Sequence, residues 1–215
     1  MGEVFGKHVQ AYPRYGSEKK GLPTSYSLTI ADQPIRGHGE LHQVDLVSLH
    51  DVSAFELGDP LAGLVDRGTV FVQSPLTDPE AIWSSIPAAA RADIVRRRIR
   101  VTALDTAALA RSRSPRPDLI LRLQGVALVG AFLRMTTFAA EAGLDRDAML
   151  AAVGARLRRF YGKRGNDVLA ANLAMVAAAF DGLIEVNAGA SLRPEPEMAV
   201  TSVLDGPHAL VGVAR

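Results

Sequence analysis

The sequence contains no cysteine among its 215 residues. This absence excludes a disulfide framework, a thiolate nucleophile, a Cys-ligated zinc ion and an iron–sulfur cluster bound by this chain. An excess of one charge sign is also missing, since 24 Lys and Arg oppose 23 Asp and Glu. The net charge of +1 argues against a general nucleic-acid-binding protein, because such proteins carry a clear basic surplus.

A long uninterrupted apolar run is absent as well. The longest apolar stretch, residues 126–142, contains Arg134 and Glu141. Because a membrane-spanning helix needs about 20 predominantly apolar residues, a buried helix is favoured here. Residues 1–5 lack the basic region and apolar run of a secretory signal. We therefore expect a cytoplasmic protein, built as one large domain or as one domain with appendages.

Short strand-like runs alternate with helical patterns through the first part of the chain, which predicts an α/β sheet. The strand-like runs are residues 25–30, 44–49, 69–72 and 99–104, and the helix candidates between them are residues 60–65, 79–82 and 87–98. Each of these helix candidates begins at a proline, a residue that suits the first turn of a helix.

The later part of the chain predicts consecutive helices, over residues 124–142, 145–161 and 166–186. We expect these helices to form a C-terminal helical cap over one face or edge of the sheet, so the predicted fold class is α/β. The prolines Pro194 and Pro196 then end the helical pattern, and residues 187–215 are predicted to form an extended C-terminal arm.

Two groups of residues that contain histidine could form a metal site or a catalytic site, but each also has a simpler structural interpretation. His38 and His42 have the spacing of metal ligands on one face of a helix. The glycines on either side of His38 disfavour a helix there, so a solvated loop is favoured over a metal site. His50 and Asp51 follow a predicted strand, where ligands of α/β proteins bind. A structural hydrogen bond is nevertheless favoured over catalysis.

Two basic clusters have a similar ambiguity. Arg96, Arg97, Arg98 and Arg100 could bind phosphate groups, but a solvated helix end is favoured. Residues 156–164 are also basic, and a contact between helices or subunits is favoured there over stacking on nucleic-acid bases. The sequence has no nucleophile elbow, Walker loop or dinucleotide fingerprint, so no complete catalytic site is evident on this chain.

The most informative segment is residues 9–21, which predicts a strand and a charged, turn-prone loop before a second strand from Thr24. Gly16 and Gly21 permit backbone conformations that other residues resist. Glu18 and Lys20 are expected to project from the loop between these glycines. From the pattern alone, an ordinary exposed connection between two strands is the favoured interpretation.

The loop sequence Tyr15-Gly16-Ser17-Glu18-Lys19-Lys20-Gly21-Leu22 resembles a motif of the gamma subunit or gamma domain of 2-oxoacid:acceptor oxidoreductases, the pyruvate:ferredoxin oxidoreductase family. That motif has an aromatic residue, then Gly-Pro-Glu, one further residue and Arg-Gly-Gly. The ordered resemblance continues through residues 27–30, 32–35, 44–47, 68–72, 105–107, 125–133 and 172–173. It covers residues 8–186 in all. The resemblance implies that residues 1–186 form a gamma-type α/β domain with a three-layer Rossmann-like sheet and a C-terminal helical cap.

The resemblance implies a gamma subunit of an assembly that converts a 2-oxoacid and coenzyme A to acyl-CoA and carbon dioxide. This chain alone is then expected to bind no cofactor. Thiamine diphosphate and iron–sulfur clusters would belong to its partners, thiamine-binding alpha and beta subunits and a ferredoxin-like iron–sulfur subunit. The resemblance assigns cofactor contacts at the surface nearest the active-site partner to Tyr15, Gly16, Glu18, Lys20 and Gly21.

Two departures from the family pattern qualify these expectations. The strand and Gly-rich turn that normally open the domain do not precede this segment, so we expect either a truncated start or a partner that completes the sheet edge. Lys20-Gly21-Leu22 replaces Arg-Gly-Gly, which keeps the charge but loses bidentate geometry.

The alternative hypothesis is a non-catalytic α/β scaffold or regulatory binding module unrelated to 2-oxoacids. A stand-alone nucleotide-binding enzyme is disfavoured by the missing Gly-rich turn.

Overall fold

A mixed β-sheet is the central element of the computed structural model, which describes residues 2–14, 24–37, 41–161, 165–186 and 208–214. The strands of this described part are β1 (His8–Arg14), β2 (Thr24–Ala31), β3 (Val44–Leu49), β4 (Leu64–Gln73), β5 (Arg100–Leu104), β6 (Ile184–Val186) and β7 (His208–Ala214). Their order in the sheet is β1-β2-β7-β3-β4-β5-β6. The strand that comes last in the chain therefore lies inside the sheet.

Strand directions divide the sheet into an antiparallel part and a parallel part. β1 and β2 form an antiparallel hairpin, and β2 is also antiparallel to β7. β7 and β4 flank β3, and both are parallel to it. Val70, Phe71 and Val72 of β4 are consecutive and fully buried, which is typical of a parallel strand covered on both faces.

The helices of the described residues are α1 (Gly2–Phe5), α2 (Ala54–Leu57), α3 (Pro79–Ser85), α4 (Ala88–Arg96), α5 (Thr106–Arg113), α6 (Ile120–Met135), α7 (Phe138–Glu141), α8 (Arg146–Tyr161) and α9 (Asn166–Asp181). The chain divides into two units. The sheet unit contains Met1–Gly2, Gly6–Ala103 and Glu185–Arg215, and the helical unit contains Glu3–Phe5 and Leu104–Ile184. This arrangement confirms the predicted α/β class, a Rossmann-like sheet combined with a helical region.

The predicted strands and the helix candidates at α3 and α4 are confirmed, but the helix predicted over residues 60–65 is wrong. Residues 60–63 form a turn, and Leu64 already begins β4. The Asp59 carboxylate accepts a hydrogen bond from the backbone N–H of Leu61 at 3.0 Å. Gly63 has a φ of 80°, and its carbonyl accepts the N–H of Val44 at 2.9 Å. These contacts favour a tight turn over a helix.

Two of the predicted long helices end earlier than expected. The helix predicted over residues 124–142 is α6 followed by the short α7. It breaks at Thr136, which has extended backbone angles and donates its hydroxyl to the Phe132 carbonyl at 2.9 Å. The helix predicted over residues 166–186 stops at Asp181, and the chain continues as β6. A glycine, Gly182, follows the last residue of α9.

The helical unit is organised around the contact between α6 and α9. Ala127, Gly130 and Ala131 of α6 are buried, as are Val176 and Ala179 of α9. A Cβ atom added at Gly130 would lie 2.2 Å from the Val176 carbonyl oxygen, so a residue without a side chain permits this close approach. Small residues therefore bring the two helix backbones together. In the described part of the chain, no helix has the length and apolar composition needed to cross a bilayer.

The predicted C-terminal arm, residues 187–215, is described only at residues 208–214. These residues form β7, an inner strand that pairs with β2 and β3. The separation of an arm from a domain over residues 1–186 stays a prediction.

Candidate functional site

The loop between β1 and β2 carries the residues to which the sequence assigned a site. Tyr15, Gly16, Glu18, Lys20 and Gly21 all lie outside the described residues. The two strands predicted to flank them are confirmed and form an antiparallel hairpin.

The register of the sheet shows at which edge the two strand ends on either side of this loop lie. β1 ends beside the start of β2, whose first residue, Thr24, pairs with Ala214 at the end of β7. Leu49, the last residue of β3, is in register with Val213 of β7 and Val72 of β4. Both ends of the hairpin loop are therefore at the edge where the parallel strands have their carboxyl ends. Ligands of open α/β sheets bind at this edge.

The hairpin also exposes apolar side chains. Tyr12 is 52% exposed, Tyr26 49% and Val9 44%. Val9 pairs with Ile30 across the hairpin, and Tyr26 pairs with Pro13. A proline is compatible with β1 because that strand lies at the end of the strand order. Because successive residues of a strand point to opposite faces, Val9 and Tyr26 lie on one face of the hairpin and Tyr12 on the other. The hairpin therefore offers apolar contact area on both of its faces.

His50 lies at the same carboxyl edge, directly after β3, and is partly buried. Its Nε2 atom is 3.5 Å from the hydroxyl of Ser48. Burial lowers the pKa of His50 below its ordinary value of 6.5, so the imidazole is neutral at neutral pH. The neighbouring Asp51 carboxylate accepts the backbone N–H of Ser53 at 2.8 Å. These contacts support the structural interpretation of His50 and Asp51.

Three arginines of the basic cluster at the end of α4, namely Arg96, Arg97 and Arg100, are paired with carboxylates. Arg97 donates to Asp93 at 2.8 Å and to Asp66 at 3.2 Å, and Arg96 also pairs with Asp93. Arg100 donates from Nε to Glu185 at 3.1 Å. These partners neutralise guanidinium groups that a phosphate would otherwise bind. The structure therefore supports a helix end and not a phosphate site.

The same cluster predicts a dependence of stability on pH. Hydrogen bonds from the guanidinium groups of Arg97 and Arg96 hold the pKa of the Asp93 carboxyl below its usual value of 3.8. The stabilisation is therefore present above that ordinary value and lost as the pH falls through the lowered pKa. We expect Asp93→Asn to lower the free energy of unfolding at pH near 7, and expect the difference from wild type to shrink below about pH 4. Urea denaturation of both proteins across this range measures it, and a difference that does not vary with pH would contradict it.

Metal binding has little support in the described residues. They contain no group of three or more His, Asp or Glu residues that could hold a metal ion. His38 and Glu40 lie outside the described residues, so the pair formed by His38 and His42 is not described.

Sequence reasoning missed one feature of the helical unit. Arg122 and Asn172 line a cavity together, although they are far apart in the chain. Arg122 follows the exposed Leu121 at the start of a predominantly apolar helix, and this placement is the one sequence signal that could have indicated it.

The fold and the carboxyl-edge hairpin define the class of protein as a Rossmann-like α/β domain. The model of the family "Pyruvate ferredoxin/flavodoxin oxidoreductase" matches residues 3–182. The chain therefore belongs to this family, as a gamma-type domain, and the resemblance found in the sequence is confirmed.

Individual relatives agree with this assignment. A pyruvate-flavodoxin oxidoreductase of Trichormus variabilis is 25% identical over 187 residues, which are 86% of this chain and 15% of the relative. The pyruvate/ketoisovalerate oxidoreductases common subunit gamma of Thermococcus litoralis is 36% identical over 77 residues, 36% of this chain and 42% of the relative. A pyruvate:ferredoxin oxidoreductase of Moorella thermoacetica is 24% identical over 217 residues, 100% of this chain and 17% of the relative. The chain thus spans less than half the length of each.

Proposed function

We propose that this chain is the gamma component of an assembly that oxidises a 2-oxoacid with coenzyme A. The reaction converts the 2-oxoacid anion and coenzyme A to acyl-CoA and carbon dioxide, and releases one proton and two electrons to an acceptor. The observation that carries the proposal is the family match over residues 3–182. The names of the matched relatives, which are pyruvate or ketoisovalerate oxidoreductases, support the substrate class.

The composition of the chain suits a component that binds no redox cofactor itself. Iron–sulfur clusters are held by cysteine thiolates, and this chain has no cysteine. The clusters and thiamine diphosphate would be bound by alpha and beta subunits and a ferredoxin-like subunit. When bound there, they supply the decarboxylation and the electron transfer, and this chain contributes assembly and positioning.

The hairpin is the part of this chain proposed to meet the active-site partner. Its loop connects two strand ends at the carboxyl edge of the parallel strands, where ligands of α/β sheets bind. The exposed side chains of Tyr12 and Tyr26 supply apolar contact area near that loop, on opposite faces of the hairpin. Within the loop, Lys20 offers a positive charge to the phosphate groups of coenzyme A, and Glu18 a negative charge to a basic partner residue.

The experiment is to purify the assembly through a tag on this chain and to identify the co-purifying chains by mass spectrometry. The purified material should reduce an artificial electron acceptor in the presence of a 2-oxoacid. This reduction should require both coenzyme A and thiamine diphosphate. Full activity of the isolated chain, or the consistent absence of a thiamine-binding partner, would contradict the proposal and favour a scaffold or regulatory module.

Variants of the loop test the site separately. We expect Glu18→Gln or Lys20→Gln to reduce kcat/KM for coenzyme A, or the yield of assembled complex, by about tenfold, the effect of losing one charge-assisted hydrogen bond. Lys20→Arg, which keeps the charge, should retain most of the activity. The matched controls are Glu80→Gln and Arg111→Gln, which change exposed charged residues of α3 and α5. Unchanged assembly and activity in both loop variants would remove these residues from the site.

A further inference from the structure

A second candidate site lies in the helical unit. A cavity of about 820 Å³ is formed by the 3₁₀ turn Pro117–Leu119, the first turns of α6 and the first turns of α9. Its lining includes Arg116, Asp118, Arg122, Leu123, Val126 and Asn172. The volume is within the range of small-molecule sites, about 300–1,000 Å³.

Asn172 supplies an unused acceptor to this cavity. The side chain is 5% exposed, and its Nδ2 atom donates to the Val168 carbonyl at 2.7 Å. Because a carbonyl can only accept, this hydrogen bond fixes the orientation of the amide and leaves Oδ1 as an acceptor. Within the described residues, Oδ1 receives no hydrogen bond. Among the described side chains, this Oδ1 atom is not one of the fully buried atoms without a partner, so it is open to solvent, and a ligand N–H or O–H can replace the water bound to it.

Arg122 supplies the net charge of the cavity. Arg116 is neutralised by Asp118, to which it donates twice, at 3.0 Å and 2.5 Å. Arg122 makes no hydrogen bond or ion pair with a described residue, and its charge acts on Asp118 only through a longer-range electrostatic interaction. A guanidinium in this situation can bind a carboxylate, sulfonate or phosphate group. The charged side chains of the lining therefore sum to one positive charge.

We propose that this cavity binds a small organic anion with an apolar body and a hydrogen-bond donor beside its charged group. Arg122 contacts the anionic group, the Oδ1 atom of Asn172 accepts the donor, and Leu123 and Val126 contact the apolar body. A smaller cleft of about 450 Å³ between α8 and α9 provides an internal comparison. That cleft is lined by apolar residues and Arg158, without a buried polar side chain.

Three related probes separate the contributions of the charge and of the donor. N-acetylphenylalanine has a carboxylate, an amide N–H and an apolar ring. N-acetylphenylalaninamide lacks the charge, and 3-phenylpropanoate lacks the N–H. We expect titrations of the ¹⁵N-labelled full chain, followed by NMR, to show the tightest binding for N-acetylphenylalanine. The neutral amide should bind about tenfold more weakly and 3-phenylpropanoate about fivefold more weakly. The shifted signals should belong to residues 116–126 and 168–172.

Variants assign these differences to individual residues. Arg122→Gln should reduce the affinity for N-acetylphenylalanine to that of the neutral amide and remove its dependence on salt. Asn172→Leu should abolish the preference for N-acetylphenylalanine over 3-phenylpropanoate. Arg158→Gln, at the smaller cleft, should change neither affinity. If Asn172→Leu does not fold, the three probes and the Arg122→Gln variant still test whether this cavity binds a small organic anion.

Three results would overturn the proposal. The first is the absence of a saturable change with N-acetylphenylalanine. The second is equal affinity for the three probes, which would indicate non-specific apolar binding. The third is a set of shifted signals confined to residues 150–158 and 173–177, which would place binding in the smaller cleft.

Discussion

Deletion of residues 208–215 is expected to unfold the sheet unit. β7 pairs with β2 on one side and with β3 on the other, so within the described sheet it joins the β1–β2 hairpin to the parallel strands. Its removal leaves the backbone groups of two inner strands without partners. Each lost hydrogen bond costs about 0.5–1.5 kcal/mol. The sum over β7 is therefore comparable to the total stability of a typical domain, about 5–15 kcal/mol.

The measurement combines urea denaturation with hydrogen–deuterium exchange. The truncated chain should lose the cooperative transition of the sheet unit, and the amides of β2 and β3 should exchange rapidly. Deletion of Arg215 alone is the control, because this residue lies beyond the last paired residue, Ala214. A truncated chain that keeps the wild-type denaturation midpoint and protected β2 amides would show that β7 does not hold the sheet together.

Gly130→Ala is expected to destabilise the helical unit by about 2 kcal/mol or more. The new Cβ would lie 2.2 Å from the Val176 carbonyl oxygen and 2.9 Å from the Ala179 Cβ. Both atoms belong to buried residues of α9 that have little freedom to move, so α6 and α9 must separate. The higher helix propensity of alanine offsets only about 1 kcal/mol of this cost.

Gly125→Ala is the matched control on the same helix. A Cβ at Gly125 would meet no atom within 4 Å, so the substitution introduces no contact. The helix propensity of alanine should then raise the free energy of unfolding by about 0.5–1 kcal/mol. Thermal and urea denaturation of both variants measure the two effects, which should have opposite signs. A Gly130→Ala protein as stable as wild type would contradict the tight α6–α9 contact.

Local patterns were sufficient for most of the secondary structure. The alternating and β-branched residues of 25–30 and 44–49 predicted β2 and β3, because one or both faces of these strands are buried. The errors arose where a local contact overrode the pattern. Residues 60–63 form a turn because the side chain of Asp59 and the backbone of Gly63 stabilise it. Residues 184–186, predicted as the end of a helix, instead form strand β6 of the sheet.

The candidate sites differ in how far the sequence could predict them. The two strands on either side of Tyr15 to Gly21 were predicted from the sequence pattern, whereas their antiparallel pairing came from the structure. The site assigned to the loop between them stays a prediction. The cavity at Asn172 and Arg122 could not be predicted, because these residues become neighbours only when α6 packs against α9. A free carbonyl oxygen on a buried side chain has no signature in sequence.

Residue types and their order along the chain were sufficient to predict the family, the α/β class and the two strands on either side of residues 15–23, and they exclude cysteine ligands. Only the tertiary structure decided the strand order. β7 enters between β2 and β3, and this insertion brings the ends of the hairpin loop to the carboxyl edge of the parallel strands. Pairing between strands far apart in the chain is selected by the burial and hydrogen bonding of the whole sheet, so no local pattern specifies it.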